Sequence, residues 1–251
     1  NLFPAGQTGR IPIVGICGSQ GKSVLARLIG HILGLTGQHV GVACSDGLFY
    51  DRRQVQKSDA ANWTAGHRLL MNRAADAAII ENGTRSILTE GLAYDRCQVG
   101  VITGLDASEC YPDLYVETPE QIDKVVRTQV DVVLDHGAAV LNAADPRVVD
   151  LAEYCDGAVI FFAEDPDHPV VARHRNQGKR AVFLRHGFLT LANGADETRL
   201  IAIEGIPYAG GSDSRQCRDN LLAAIAVAWA LDLSIDLICA ELLVSSTMTK
   251  E

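Results

Sequence analysis

A glycine-rich hexapeptide ending in Gly-Lys-Ser holds the residues whose types and spacing most clearly suggest chemistry: Gly18, Ser19, Gln20, Gly21, Lys22 and Ser23. Such a loop can bind phosphate oxygens in three ways. Its glycines leave backbone N–H groups accessible, the helix that follows adds the positive end of its dipole, and the lysine adds a full charge. Ser23 would place a hydroxyl where a phosphate-bound Mg2+ lies. The common loop G-x-x-x-x-G-K-[ST] needs a glycine at position 16, where this chain has Ile16. The alternative is therefore a tight strand-to-helix turn with an ordinary surface lysine.

The residues around the loop predict a strand before it and a helix after it. Residues 11–16 are an apolar run rich in Ile and Val, and residues 23–36 carry apolar side chains at helical spacing. Strands and helices are predicted to alternate onward from there, with strands at 39–43, 77–80, 98–103 and 138–142 and helices at 67–74 and 119–134. Such alternation predicts an α/β fold whose mostly parallel sheet has helices on both faces.

Polar residues follow several of the predicted strands, at the edge of the sheet where ligands of parallel α/β folds bind. Besides the loop, these are Glu81, Glu109, Asn142 and Asp145. Each also has a structural interpretation: Glu81 could be a solvated carboxylate, Glu109 an ordinary loop acid, and Asp145 only the N-cap of a helix that begins at Pro146.

The character of the chain changes at about residue 158. Short apolar segments separated by Gly, Asn, Asp and Pro predict a small antiparallel extension over about 158–212, with strands at 158–163, 181–185, 188–192 and 198–203. Two apolar helices are predicted after it, at 220–231 and 235–243.

Composition narrows the classes of function. The 251 residues carry a net charge of −9 and no basic run, which argues against a nucleic-acid partner. The seven cysteines are scattered without a C-x-x-C pair, as expected for reduced thiols of a cytoplasmic protein rather than a zinc site. No apolar run reaches membrane-spanning length. Because the chain begins at Asn1 without an initiator methionine, we expect it to be part of something longer.

Long stretches of the sequence resemble a known family. The segment RIPIVGICGSQGKSVLARLIGHIL resembles the opening of the central domain of Mur-type amide ligases, and the likeness is closest to the Mur-like domain of cyanophycin synthetases. AAIIENGTRSILTEGLAYDRCQVGVIT and AAVLNAADPRVVDLAEYC resemble later segments of the same domain, and the resemblance extends over nearly the whole chain. A shortened relative of cyanophycin synthetase would also fit.

The resemblance implies a P-loop domain, spanning residues 1–251, that uses ATP and Mg2+. In this family a carboxylate is phosphorylated and an amine then attacks the acyl phosphate; here arginine would be joined to an aspartyl carboxylate. An upstream ATP-grasp domain, a homo-oligomer and a missing C-terminal lid lobe are further expectations. By resemblance Lys22 would bind the β- and γ-phosphates, Ser23 and Glu81 would hold Mg2+ with Glu109 as a second ligand, and the remaining ATP contacts would come from Gly18, Ser19, Gln20, Gly21, Val24, Asn142 and Asp145.

Some positions depart from the family pattern and keep an alternative open. A Thr-Gly-Pro that helps to hold the reacting carboxylate is replaced by Ala61-Asn62-Trp63, an Asp-His pair falls on Ser108-Glu109, and a His-Asn or Phe-Asn pair falls on Gln216-Cys217. The chain could therefore be a degenerate, inactive module with a structural or oligomerisation role in a larger synthetase. A plain P-loop kinase or NTPase is a weaker third reading, because the resemblance extends far beyond the loop.

Overall fold

A computed structural model of the chain describes residues 10–206 and 215–244. The strands in chain order are β1 (Ile13–Cys17), β2 (Val40–Cys44), β3 (Gly47–Tyr50), β4 (Arg53–Gln56), β5 (Ala77–Glu81), β6 (Cys97–Ile102), β7 (Val133–Asn142), β8 (Ala158–Ala163), β9 (Arg180–Arg185), β10 (Phe188–Asn193) and β11 (Asp196–Ala202). The helices are α1 (Lys22–Gly34), α2 (Trp63–Leu70), α3 (Thr84–Glu90), α4 (Pro119–Asp131), α5 (Pro146–Asp150), α6 (Pro169–Asn176), α7 (Arg215–Ala230) and α8 (Ile235–Val244).

The described strands form one sheet in the order β11-β10-β9-β8-β7-β6-β1-β5-β2-β3-β4. The strands from β9 to β2 pair in parallel, and an antiparallel hairpin extends each edge. Strand β1 lies between β5 and β6, with Ile16 opposite Glu81 of β5 and Cys17 opposite Ile102 of β6. The loop that leaves β1 is therefore flanked by the carboxyl ends of β5 and β6, where parallel sheets bind their ligands.

Helices cover both faces of the sheet. Helices α1 and α7 share an apolar core with one face, and α7 is buried from Asn220 to Ala228. Helix α4 packs against the other face through Ile122, Val126 and Val130. Because both faces are covered, the central strands are continuous apolar runs rather than alternating patterns. The predicted fold class, a mostly parallel sheet between helices with a smaller antiparallel part, is confirmed.

The predicted antiparallel extension is wrong in its first strand. Residues 158–163 pair in parallel with β7, in the register Ala138 opposite Ala158, and in parallel with β9. Only β9, β10 and β11 are antiparallel at this edge. Residues 207–212 of the predicted extension lie outside the described part of the chain. The apolar segment 158–163 fits either pairing direction, because a strand buried on both faces carries no sign of its neighbour's direction.

Several predicted boundaries also differ from the observed ones. Helix α2 begins at Trp63 instead of residue 67, because the side chain of Asn62 accepts a hydrogen bond from the Ala65 N–H and caps the helix. Helix α4 ends at Asp131, and β7 begins at Val133 instead of residue 138. The sequence reasoning missed β3, β4, α3 and α6. Within the described residues, no helix combines the length and apolarity needed to cross a membrane.

Candidate functional site

The loop between β1 and α1 has the shape that its glycines predict. Gly18 and Gly21 have φ angles of 125° and 76°, a region that favours glycine. A Cβ on Gly18 would lie 2.4 Å from Thr103 Oγ1, and one on Gly21 would lie 2.6 Å from Asn220 Oδ1. Gly21 caps α1 without a side-chain hydrogen bond, and no acidic residue lies in the first turn. The positive end of α1 is therefore available to an anion.

Glu81 is the most tightly held charged residue beside the loop. Its side chain is 4% exposed, and Oε2 accepts hydrogen bonds from Ser23 Oγ at 2.7 Å and from the Ser45 N–H at 2.9 Å. Oε1 accepts from Ser45 Oγ at 3.0 Å and lies 3.8 Å from Lys22 Nζ. The predicted proximity of Ser23 and Glu81 is therefore observed, and these two side chains lie within the reach of a single cation.

Ser45 is a member of this group that sequence reasoning missed. It follows β2 directly, and β2 pairs in parallel with β5, so that both strand ends reach the same edge of the sheet. Both its N–H and its hydroxyl bind the Glu81 carboxylate. The available signal was its position: a polar residue immediately after a buried parallel strand.

Glu109 binds the other side of the loop. Its Oε2 accepts from Ser19 Oγ at 3.2 Å, and its Oε1 accepts from the Tyr111 hydroxyl at 2.7 Å. Ser19 Oγ also accepts from the Asp106 N–H at 2.7 Å, which joins the loop to the segment after β6. These contacts hold Glu109 against Ser19, whereas Ser23 and Ser45 hold Glu81. The role of Glu109 as a second metal ligand stays a prediction.

Asn142 and Asp145 shape the segment at the carboxyl ends of β6 and β7. Asn142 Nδ2 donates to the Thr103 carbonyl at 2.9 Å. The Asp145 carboxylate accepts from the Leu105 N–H at 2.7 Å and from the Arg147 N–H at 3.0 Å, the second of which caps α5. The N-cap interpretation of Asp145 is therefore confirmed, and the same carboxylate also fixes the chain after β6.

Three cavities surround the loop. The α7 cleft, of about 520 Å³, is lined by Ser19, Gln20, Asn142, Asp145, Asp219 and Asn220, among others. The Glu81 cavity, of about 440 Å³, is lined by Lys22, Ser23, Val24, Ser45, Glu81 and Gln216, among others. The Glu109 cavity, of about 340 Å³, is lined by Gly18, Lys22, Arg85, Glu109 and Tyr111, among others. All the sequence-predicted site residues line one or another of these three cavities, which lie at one edge of the sheet.

The two cysteines near the loop are buried thiols with raised pKa values. Burial raises the pKa of Cys17 to about 12, against the smaller opposing effect of the Lys22 charge. Burial likewise raises the pKa of Cys44 to about 11. A thiol that stays protonated is a poor nucleophile, so neither sulfur fits a catalytic role. Cys17, Cys44 and Cys97 are buried free thiols.

Comparison with known proteins agrees with this geometry, although no family model matches the chain. A cyanophycin synthetase from Synechocystis sp. is 32% identical over 238 residues, which are 94% of this chain and 27% of that protein. This chain is a homologue of cyanophycin synthetases and has the Mur ligase fold. The chain spans about a quarter of the length of such curated relatives.

Solved structures support the fold assignment. A UDP-N-acetylmuramoyl-L-alanyl-D-glutamate–2,6-diaminopimelate ligase superposes with a TM-score of 0.69 at 14% identity, over 93% of this chain and 46% of that chain. A pseudomurein peptide ligase type C from Methanothermus fervidus superposes with a TM-score of 0.58 at 19% identity, over 98% of this chain and 51% of that chain. At these identities the likeness establishes the fold alone.

Proposed function

We propose that this chain is the ATP-binding part of an ATP-dependent amide ligase that works through an acyl phosphate. The observation that carries the proposal is the grouping of Lys22, Ser23 and Glu81 at the open N-terminus of α1, with Ser23 Oγ 2.7 Å and Lys22 Nζ 3.8 Å from the Glu81 carboxylate. A phosphate-sized anion at this point would meet backbone N–H groups, a helix dipole and an ammonium group together.

The donor set of the Glu81 cavity fits Mg2+. Ser23, Ser45 and Glu81 offer only oxygen atoms, which this hard cation prefers, and a site of one or two carboxylates completed by phosphate oxygens is its usual protein environment. In the described part of the chain no group of three or more His, Cys, Asp or Glu residues could hold a metal by itself, so phosphate oxygens would have to complete the site. When bound, Mg2+ would neutralise charge that develops on the transferred phosphoryl group.

In the proposed reaction, an oxygen of the substrate carboxylate attacks the γ-phosphorus of ATP, and the bond from that phosphorus to the β–γ bridging oxygen breaks to release ADP. The amine nitrogen then attacks the acyl carbon, the C–N bond forms, phosphate leaves, and the nitrogen loses a proton. Lys22 would stabilise negative charge on the transferred group, because it lines both the Glu81 and the Glu109 cavities. Asn142 and Asp145, in the α7 cleft, would contribute on the base and ribose side.

The substrates and partners are proposed from the resemblance to cyanophycin synthetases. They are arginine, an aspartyl peptide carboxylate and an upstream ATP-grasp domain of the same polypeptide, in a cytoplasmic homo-oligomer.

Titration of ATP and Mg2+ into wild-type protein and the Lys22→Ala variant tests the proposal. A charge-assisted hydrogen bond contributes about 1.5–3 kcal/mol, so the variant should bind ATP about ten- to a hundredfold more weakly. Lys179→Ala removes an exposed lysine that lines none of the three cavities and should bind like the wild type. Absence of ATP binding by the wild-type protein, or equal binding by Lys22→Ala, would refute the proposal.

One observation favours the second candidate, an inactive module in a larger synthetase. The Glu90 carboxylate accepts a hydrogen bond of 2.8 Å from the Trp63 N–H, at the N-terminus of α2. This is the segment where, by resemblance, the reacting carboxylate of the substrate would be held. The Trp63 N–H is thus already bound by a carboxylate of the chain itself, and Trp63 is 40% exposed.

A further inference from the structure

Asp219 lines the α7 cleft and has no assigned role. It lies in the second turn of α7, near Gln216 and Asn220, which also line the cleft. Its side chain is 19% exposed. Ser19 and Gln20 of the loop line the same space, so a nucleotide whose phosphates lie on the loop would place its base or ribose within the cleft.

The other two acids of the cleft are committed to local hydrogen bonds. The Asp145 carboxylate holds the N–H groups of Leu105 and Arg147. Asp106 Oδ1 holds the N–H and the hydroxyl of Ser108. For Asp219, the contact that the structure shows is an ion pair with Arg215 at 3.8 Å, longer than a hydrogen bond. Asp219 is thus the cleft acid best able to recognise a ligand.

The surroundings of Asp219 favour the protonated, neutral form of its carboxyl group, which is less favoured for an aspartate in water. Burial and the neighbouring Glu164 charge raise its pKa to about 6, against the opposing charges of Arg215 and Arg218. Arg218 is itself paired with Glu164 at 2.8 Å. Across the cleft the charged side chains are Asp106 and Asp145, which add no cation. The Asp219 carboxyl group, with its pKa raised to about 6, is therefore neutral below this pH and ionised above it.

We propose that Asp219 reads the hydrogen-bonding edge of the purine base in this cleft, so that the preference of the site between ATP and GTP depends on whether the carboxyl group is neutral or ionised. The inference rests on the proposed function, since it assumes that a nucleotide occupies the loop.

The basis is the complementarity of hydrogen-bond donors and acceptors. A carboxylate only accepts, whereas a protonated carboxyl group both donates and accepts. Adenine offers the N6 amino donor beside the N1 acceptor, which matches a protonated carboxyl group. Guanine offers two adjacent donors, N1–H and the N2 amino group, which match a carboxylate. The neutral acid should therefore select ATP, and the ionised acid should admit GTP.

The test measures the dissociation constants of ATP and GTP, with Mg2+, at about pH 5 and about pH 8, on either side of the Asp219 transition. The ratio of the two constants is the readout, because ionisation of the triphosphate affects both nucleotides alike. We expect the preference for ATP to fall by about tenfold or more from the lower to the higher pH, since a mismatched pairing leaves buried polar groups unpaired. Asp219→Asn supplies a permanent donor and acceptor at the same place and should prefer ATP at both pH values.

A second variant tests the cause. Glu164→Gln removes the negative charge that raises the pKa of Asp219, so the change in preference should occur at a lower pH than in the wild type. A wild-type protein that binds ATP with a pH-independent ATP-to-GTP ratio would overturn this inference and leave the proposed function standing. A wild-type protein that binds neither nucleotide at any pH would overturn the proposed function and this inference with it.

Discussion

Replacing Glu81 by glutamine separates the ligand-binding role of this residue from its structural role. Glutamine keeps one oxygen, which at the Oε2 position can still accept from Ser23 Oγ and from the Ser45 N–H, now 2.7 Å and 2.9 Å away. Its amide nitrogen would take the Oε1 position, where the Ser45 hydroxyl has to accept instead of donate. Lys22, 3.8 Å away, loses its counter-charge. The variant thus changes charge while keeping shape.

The expected magnitudes differ sharply for folding and for metal binding. Hydrogen bonds to charged groups contribute about 1.5–3 kcal/mol and neutral ones about 0.5–1.5 kcal/mol, so three weakened bonds would cost a few kcal/mol. The desolvation penalty of the buried carboxylate disappears with its charge and offsets part of that loss. We expect the free energy of unfolding to fall by about 1–2 kcal/mol. Mg2+ affinity should fall by at least about ten- to a hundredfold, the effect of disturbing even the outer partners of metal ligands.

Urea denaturation and ATP titration with and without Mg2+ measure the two effects. The Mg2+-dependent gain in ATP affinity should be largely lost in Glu81→Gln and kept in Glu153→Gln, an exposed carboxylate of the turn after α5. An undiminished Mg2+ effect in Glu81→Gln would refute the assignment of Glu81 as a metal ligand. A loss of stability well above the calculated range would show that the carboxylate serves mainly to hold the fold.

Two further predictions concern the buried polar cluster below the site and the ability of the chain to join arginine to an aspartyl carboxylate. Tyr94→Phe should cost about 1 kcal/mol of unfolding free energy, because Asn82 Nδ2 keeps its 2.8 Å bond to Gln129 Oε1. Gln129→Leu should cost about 2–4 kcal/mol, because the buried Tyr94 hydroxyl loses the only acceptor shown for its proton and Asn82 loses one of its bonds. Equal costs in urea denaturation would contradict this reasoning. Incubation of the 251-residue chain with ATP, Mg2+, arginine and a poly-aspartate primer should yield no mass increment of arginine, because Glu90 occupies the α2 terminus. Enzyme-dependent product would show that this contact yields to substrate.

The parallel core and the phosphate loop were predictable because their signals are local. Glycines that must adopt positive φ angles, and apolar runs of strand length, are visible within a few residues of sequence. The meeting of Ser23 and Glu81 followed from one further step, since consecutive parallel strands end at the same edge of a sheet. These features needed no knowledge of which strands are neighbours beyond the general rules of the fold class.

The features that escaped prediction depend on long-range pairing. The direction of β8 is set by its neighbours β7 and β9 and not by its own residues. The Ser19–Glu109 bond spans 90 positions and depends on how the segment after β6 folds back onto the loop. Ser45, in contrast, was missed although its position directly after β2 was visible in the sequence. The start of α2 was missed for a different reason: Asn62 and the Ala65 N–H form a local cap whose signal was overlooked.

The backbone next to Glu81 is also held in place by buried hydrogen bonds of Asn82. The next residue, Asn82, donates an N–H bond to the Ile16 carbonyl at 2.8 Å and sends its side chain into a buried polar cluster with Tyr94 and Gln129. The cluster fits under β1 only because Gly15 has no side chain; a Cβ there would lie 1.9 Å from the Tyr94 hydroxyl.

Buried polar groups must be satisfied together, so a displacement of Asn82 would break several bonds at once. Ser23 and Ser45 fix the carboxylate of Glu81 from one side, while Asn82 fixes the backbone beside it from the other. A carboxylate held on both sides loses little further freedom when a cation and a phosphate arrive, which lowers the cost of binding them. The buried cluster thus stabilises the fold and also prepares Glu81 for its proposed ligand.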